Sequence, residues 1–91
     1  MRQCMDSENL HRRISRIQGQ LRAIDRMIDE DIPCEDILVQ VNAVKKAVHG
    51  VGVVILDGHL KHCVRDGLEH GDADKTIESF TKAVERFANM Q

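Results

Sequence analysis

Residues 33–66, PCEDILVQVNAVKKAVHGVGVVILDGHLKHCVRD, decide how this chain folds. Apolar residues recur at Ile37, Val41, Val44, Val48, Val51 and Ile55 in alternating steps of four and three, the seam of one long helix. Pro33 suits the first turn of such a helix, and Glu35 and Asp36 complement its dipole there. Cys34 then stands in the opening turn. His59 and Cys63, four apart near the far end, project from one face about one turn from each other. An imidazole and a thiolate placed in this way hold one soft metal ion, Cu(I) or Zn(II), once a further donor joins them.

Cys34 is the candidate for that donor. One helix over residues 33–66 separates it from Cys63 by about 43 Å, at about 1.5 Å per residue, so a single chain cannot close the site. Two such helices packed antiparallel and crossing near residues 47–49 set Cys34 of one chain beside His59 and Cys63 of the other. Two-fold symmetry makes two identical sites. Gly50 and Gly52 fall just past the crossing, where glycine allows backbones to approach. Packing or flexibility unrelated to any dimer explains them equally well.

Working outward, Leu10, Ile14, Ile17, Leu21, Ile24 and Ile28 form a second stripe in steps of four and three, with Ser7 or Asp6 as its cap. The remaining face carries Arg12, Arg13, Arg16 and Arg22, and no acid interrupts between Leu10 and Ile24. Lys45, Lys46 and His49 add a smaller basic cluster on the long helix. Solvated helix faces look the same. Gly19 lowers helix propensity and suggests close packing. Asp29-Glu30-Asp31 ends the first helix. Gly67 and Gly71 bracket the end of the second, and Asp72 or Asp74 caps a third with Ile77, Phe80, Val84 and Phe87. That third helix is expected to cover the end of the second in the assembled oligomer.

The whole is therefore an all-α fold of three helices, one domain over 1–91, with 1–8 as a mobile N-terminal arm. One proline, no Trp or Tyr and two Phe among 91 residues fit that class, and so small a chain completes its core by oligomerising. No run approaches about 20 apolar residues, so no membrane span is expected and the chain is assigned to the cytoplasm. Three cysteines in a helical chain point to reduced thiols used for metal or redox chemistry. The net charge of −2 argues against general affinity for nucleic acid, so any such affinity must come from the local basic face.

The metal reading has competitors. His-x-x-x-Cys is also the pattern of a satisfied histidine beside a buried free thiol. His62 lies away from the seam, His11, His49 and His70 have no Cys or His four residues away, and Cys4 is either incidental or a fourth ligand on the arm. A Cys with a His also invites a nucleophile, but no glycine-rich phosphate loop or paired carboxylates accompany them, and an enzyme is not expected.

Four segments together resemble the copper-sensitive operon repressor family: Arg13 to Leu21, Met27 to Asp31 with Cys34, Asp36 to Val41, and Leu56 to Val64. The resemblance covers nearly the whole chain after about residue 8. It implies a dimer of antiparallel second helices, paired into a disc-shaped tetramer that binds operator double-stranded DNA without a helix-turn-helix. It further implies that Cu(I), held by Cys34 of one chain with His59 and Cys63 of another, releases the DNA. Arg12, Arg13, Arg16 and Arg22, with Lys45, Lys46 and His49, would then contact phosphates. Relatives that sense nickel, cobalt or reactive sulfur keep a Ni(II)/Co(II)/Zn(II) site, or a metal-free Cys34–Cys63 thiol switch, as alternatives. Nickel and cobalt sensors usually place His at the second ligand position, and persulfide sensors usually lack the histidine. Copper sensors often carry Tyr before the first ligand and Glu in the third helix; here Pro33 and Ser79 stand at those positions, which bears on coupling more than on binding.

Overall fold

The computed structural model describes residues 5–88, and every regular element in them is helical. α1 spans Ser7–Asp29 and α2 Cys34–Gly58; a π-helical segment, His59–Val64, follows directly, then α3, Arg65–His70, and α4, Ala73–Ala88. With α2, the π segment and α3 continuous, the described chain is three helical rods, as its periodicity predicts. The middle rod is not uniform, however. The π turn interrupts what the sequence presents as one α-helix over 33–66.

The chain divides into two compact units, Glu8–Val51 and the segment from Gly52 onward. α1, nearly all of it in Glu8–Val51, begins at Ser7, which puts Asp6 at the cap position. Ser7 and Glu8 are thus helical where an arm was expected; residues 1–4, with Cys4, lie outside the described residues. The α1 stripe splits along its length. Leu10 and Ile17 are buried, whereas Ile14, Leu21 and Ile28 are exposed. A stripe that steps four and three is two rows wide, and a single chain covers only one of them.

The turn that follows is built from particular residues. Glu30 N–H donates to Arg26 O (3.1 Å) and Met27 O (3.3 Å), and Asp31 takes φ of 59°, a left-handed conformation that Asp tolerates better than most residues. Pro33 O then accepts from Asp36 N–H (3.0 Å) and Ile37 N–H (3.2 Å), so Pro33 starts α2 from the cap and Cys34 is its first residue. The close packing expected at Gly19 is not found among the described residues. A Cβ there would meet only Arg22 Nη2, at an ordinary 3.8 Å.

In the segment from Gly52 onward, α4 lies against the rod that carries the π segment and α3. Gly71 N–H closes the rod on Gly67 O (3.0 Å). Asp72 caps α4 by accepting the Lys75 N–H at Oδ1 (3.1 Å), while its carbonyl takes Thr76 N–H (2.9 Å). Gly52 and Gly67 are the two close approaches. A Cβ on Gly52 would run into the Phe87 ring, and one on Gly67 into the Thr76 side chain. The room at Gly52 is therefore taken by this chain's own α4, rather than kept for a second copy. The apolar stripe of α4 also splits: Phe80 and Phe87 are half-buried, while Ile77 (54% exposed) and Val84 face away.

Within an isolated chain the core is thin, limited among the described residues to Leu10, Ile17 and Val64. Leu38 and Val39 on α2 remain more than 60% exposed. The continuous helix Cys34–His70 is, by length and composition, apolar enough to cross a membrane, which corrects the expectation that no such run exists. The physical reason is the density of Val, Ile and Leu around Lys45 and Lys46: two charges interrupt the run without lowering its mean hydropathy below the limit.

Candidate metal centre and basic face

His59 and Cys63 fall inside the π segment, at its first residue and its fifth. A π-helix closes hydrogen bonds from i to i+5 and occurs mostly as single turns, often at functional sites. The turn tightens again at once, with Arg65 N–H bonding to His62 O. Despite the wider turn, both side chains open into one cavity of about 270 Å³, which Asp72, Lys75, Thr76 and Ser79 of the α4 end also line. The His59 ring stacks on Phe80, with centroids 6.1 Å apart and planes inclined by 25°. That contact fixes one face of the imidazole. It was not legible in the sequence, because the 59–80 pairing depends on how α4 docks.

Neither Cys34 nor Cys63 is in a disulfide; Cys34 is exposed and Cys63 partly so. Among the described residues no cluster of three or more His, Cys, Asp or Glu side chains is gathered to hold a metal. The chain thus assembles two soft donors, an imidazole nitrogen and a thiol sulfur, and does not bring its own Cys34 to them. The donor types fit Cu(I) or Zn(II), and the cavity is much larger than one ion needs, leaving space for a donor from outside the chain. His62 is exposed and outside the cavity lining, in keeping with a solvated neighbour. Ser79, at the position where copper sensors often carry Glu, does line the cavity.

The basic candidates all belong to Glu8–Val51, and all are exposed. They are not equivalent. Arg12 Nη1 pairs with Glu8 Oε1 at 3.3 Å, one turn away. Arg13 donates from Nε to Asn9 Oδ1 (2.8 Å), and its Nη1 lies 3.2 Å from where a Gly50 Cβ would be. Gly50 thereby leaves room for a guanidinium reaching from α1 onto α2 beside His49. The sequence signalled the charges; Asn9, which orients one of them, was missed.

Residues 6–86 match the model of a family described as metal-sensitive transcriptional repressor. The chain belongs to that family. The copper-sensing transcriptional repressor CsoR of Bacillus subtilis is 35% identical over 82 residues, 90% of this chain and 81% of that protein. A copper-sensing repressor CsoR with Cu(I) from Geobacillus thermodenitrificans superposes with a TM-score of 0.83 at 33% identity, covering 90% of this chain and 85% of that one. The nickel-responsive transcriptional regulator InrS is as similar in fold, with a TM-score of 0.81 and 34% identity over 88% of this chain and 90% of that one. The family places the chain among metal-sensing transcriptional repressors rather than enzymes, in agreement with the sequence.

Proposed function

We propose that this repressor responds to Cu(I), held between two chains by Cys34 of one and by His59 and Cys63 of the other. The observation that carries this reading is the half-built site: an imidazole and a thiol share one cavity, and no third ligand from the chain's own described residues joins them. A second copy supplies the missing thiol at no cost in new sequence. The apolar rows left open on α2 and α4 support such pairing, since contiguous exposed apolar surface is where chains associate. Antiparallel pairing of the long helices into dimers, and of dimers into a disc-shaped tetramer, follows. An apolar Cys34–His70 helix in a repressor is then an assembly surface, and the chain works in the cytoplasm on operator double-stranded DNA.

In the metal-free state Arg12, Arg13, Arg16, Arg22, Lys45, Lys46 and His49 contact operator phosphates. Each contact is weak, but a symmetric assembly repeats them, so affinity falls steeply with salt. Bound Cu(I) supplies a link between the first turn of one long helix and the π segment of its partner. If the linked state binds DNA less well, the coupling is reciprocal and amounts to about 1–3 kcal/mol. His59 and Cys63 anchor that link, and Phe80 holds the imidazole in place.

The test is a titration of reduced protein on its own upstream DNA, with and without one Cu(I) per subunit under anaerobic conditions. Release by about tenfold or more is expected, with His59→Ala binding the DNA and ignoring the metal. Binding that Cu(I) leaves unchanged sinks the copper reading. The same assay with persulfide or Ni(II) then identifies the signal, since the two free thiols suit a metal-free switch as well.

A further inference from the structure

The cavity at His59 and Cys63 contains one more group whose charge bears on which metal it takes. From Gly52 onward the lysines are Lys61, Lys75 and Lys82. Lys61 pairs with Asp57 at 3.2 Å and Lys82 with Glu78 at 3.4 Å, each one helical turn away. Lys75 makes no ion pair among the described residues, and it is the lysine that lines the donor cavity. The other formal charge in the lining is the carboxylate of Asp72. Its Oδ1 accepts the Lys75 backbone N–H at the start of α4, where the helix dipole offsets negative charge.

Resting on the Cys-His-Cys reading above, we infer that Lys75 is a specificity-determining residue that favours Cu(I) over divalent ions. Two thiolates and a neutral imidazole around Cu(I) leave one net negative charge on the site. The same donors around Zn(II), Ni(II) or Co(II) leave none. The positive charge of Lys75, a lining residue, therefore stabilises the monovalent complex and is nearly indifferent to the divalent one. Sulfur and imidazole alone do not make that distinction, because they bind both kinds of ion well. Cys63 and Lys75 line the cavity from different helices, so the preference depends on α4 being docked as it is.

The experiment measures Cu(I) and Zn(II) affinities of the reduced full chain by competition with chromophoric chelators, for the wild type, Lys75→Met and Lys75→Arg. Because Lys75 is exposed, both variants are expected to keep the wild-type helical circular dichroism. Lys75→Met should weaken Cu(I) by about three- to tenfold at low salt and leave Zn(II) unchanged, and the difference should shrink as salt is added. Lys75→Arg should restore the wild-type ratio. Equal loss of both metals, or no loss of Cu(I), overturns the inference while leaving the site intact. A wild type that binds Cu(I) no better than His59→Ala overturns the site itself, and the inference with it.

Discussion

The two units of this chain divide the labour by chemistry. Glu8–Val51 carries all seven basic candidates, among them four arginines in the stretch from Leu10 to Ile24 that contains no acid, whereas the segment from Gly52 onward carries the imidazole, the thiol and the cavity into which they open. Each unit is locally complete in a different sense. The basic face is finished within one chain, because a guanidinium needs only an orienting neighbour such as Asn9 and a slot such as Gly50. The proposed metal site is unfinished within one chain, because the third soft donor proposed for it, Cys34, belongs to the other unit. A sensor benefits from this arrangement. On the proposed reading, a site that closes only across chains reports on assembly geometry, and assembly geometry would set the spacing of the basic faces.

If the units are separable in this way, each can be damaged without touching the other's ligand. The largest effect is expected from Arg13→Ala with Arg16→Ala. Repeated in every subunit, these changes remove several phosphate contacts, so operator affinity at moderate salt should fall by about a hundredfold or more with a shallower salt dependence. Cu(I) affinity, read by chelator competition, should not move; a parallel fall would break the division. Gly52→Ala is intermediate. The added methyl meets the Phe87 ring, and overpacking of about 1–3 kcal/mol outweighs the gain of about 1 kcal/mol in helix propensity. Denaturant melts should show the loss, and combining it with Phe87→Leu should recover part of it. Asp72→Ala is the mildest, at about 1 kcal/mol for a lost N-cap, visible as a small drop in thermal midpoint. If instead it raises Cu(I) affinity without altering the melt, the Asp72 carboxylate is felt at the cavity more than at the cap.

Much of this was legible from residues because it depends on neighbours a few positions away. The bounds of the rods follow from Asp29-Glu30-Asp31, Pro33, Gly71 and Asp72, each acting within a turn of its own position. The His59–Cys63 pair survives a change of helix type because four residues remain close to one turn in either form. What escaped depends on docking between elements distant in sequence. Gly52 reads equally as a place for a second chain or for packing within one, and only the docking of α4 shows Phe87 in the space a Cβ would take. Ile77, Phe80, Val84 and Phe87 read as one stripe, and only the docking of α4 separates half-buried Phe80 and Phe87 from exposed Ile77 and Val84. The same split separates Leu10 and Ile17 from Ile14, Leu21 and Ile28 on α1. Periodicity identifies an apolar face without saying how much of it one chain can cover.

The π turn at His59–Val64 also acts as a counter. It accommodates one residue more than an α-helix would over the same hydrogen-bonded loop, and so it sets the phase of every side chain that follows in the rod. Were the same residues to close as a plain α-helix instead, the register of the rod after the turn would slip by one residue. Gly67 would then rotate by about 100° relative to the residues before the turn, away from Thr76, since each α-helical residue turns that far. The docking of the last helix against Gly67 therefore depends on the wide turn persisting at the very residues that present the ligand pair.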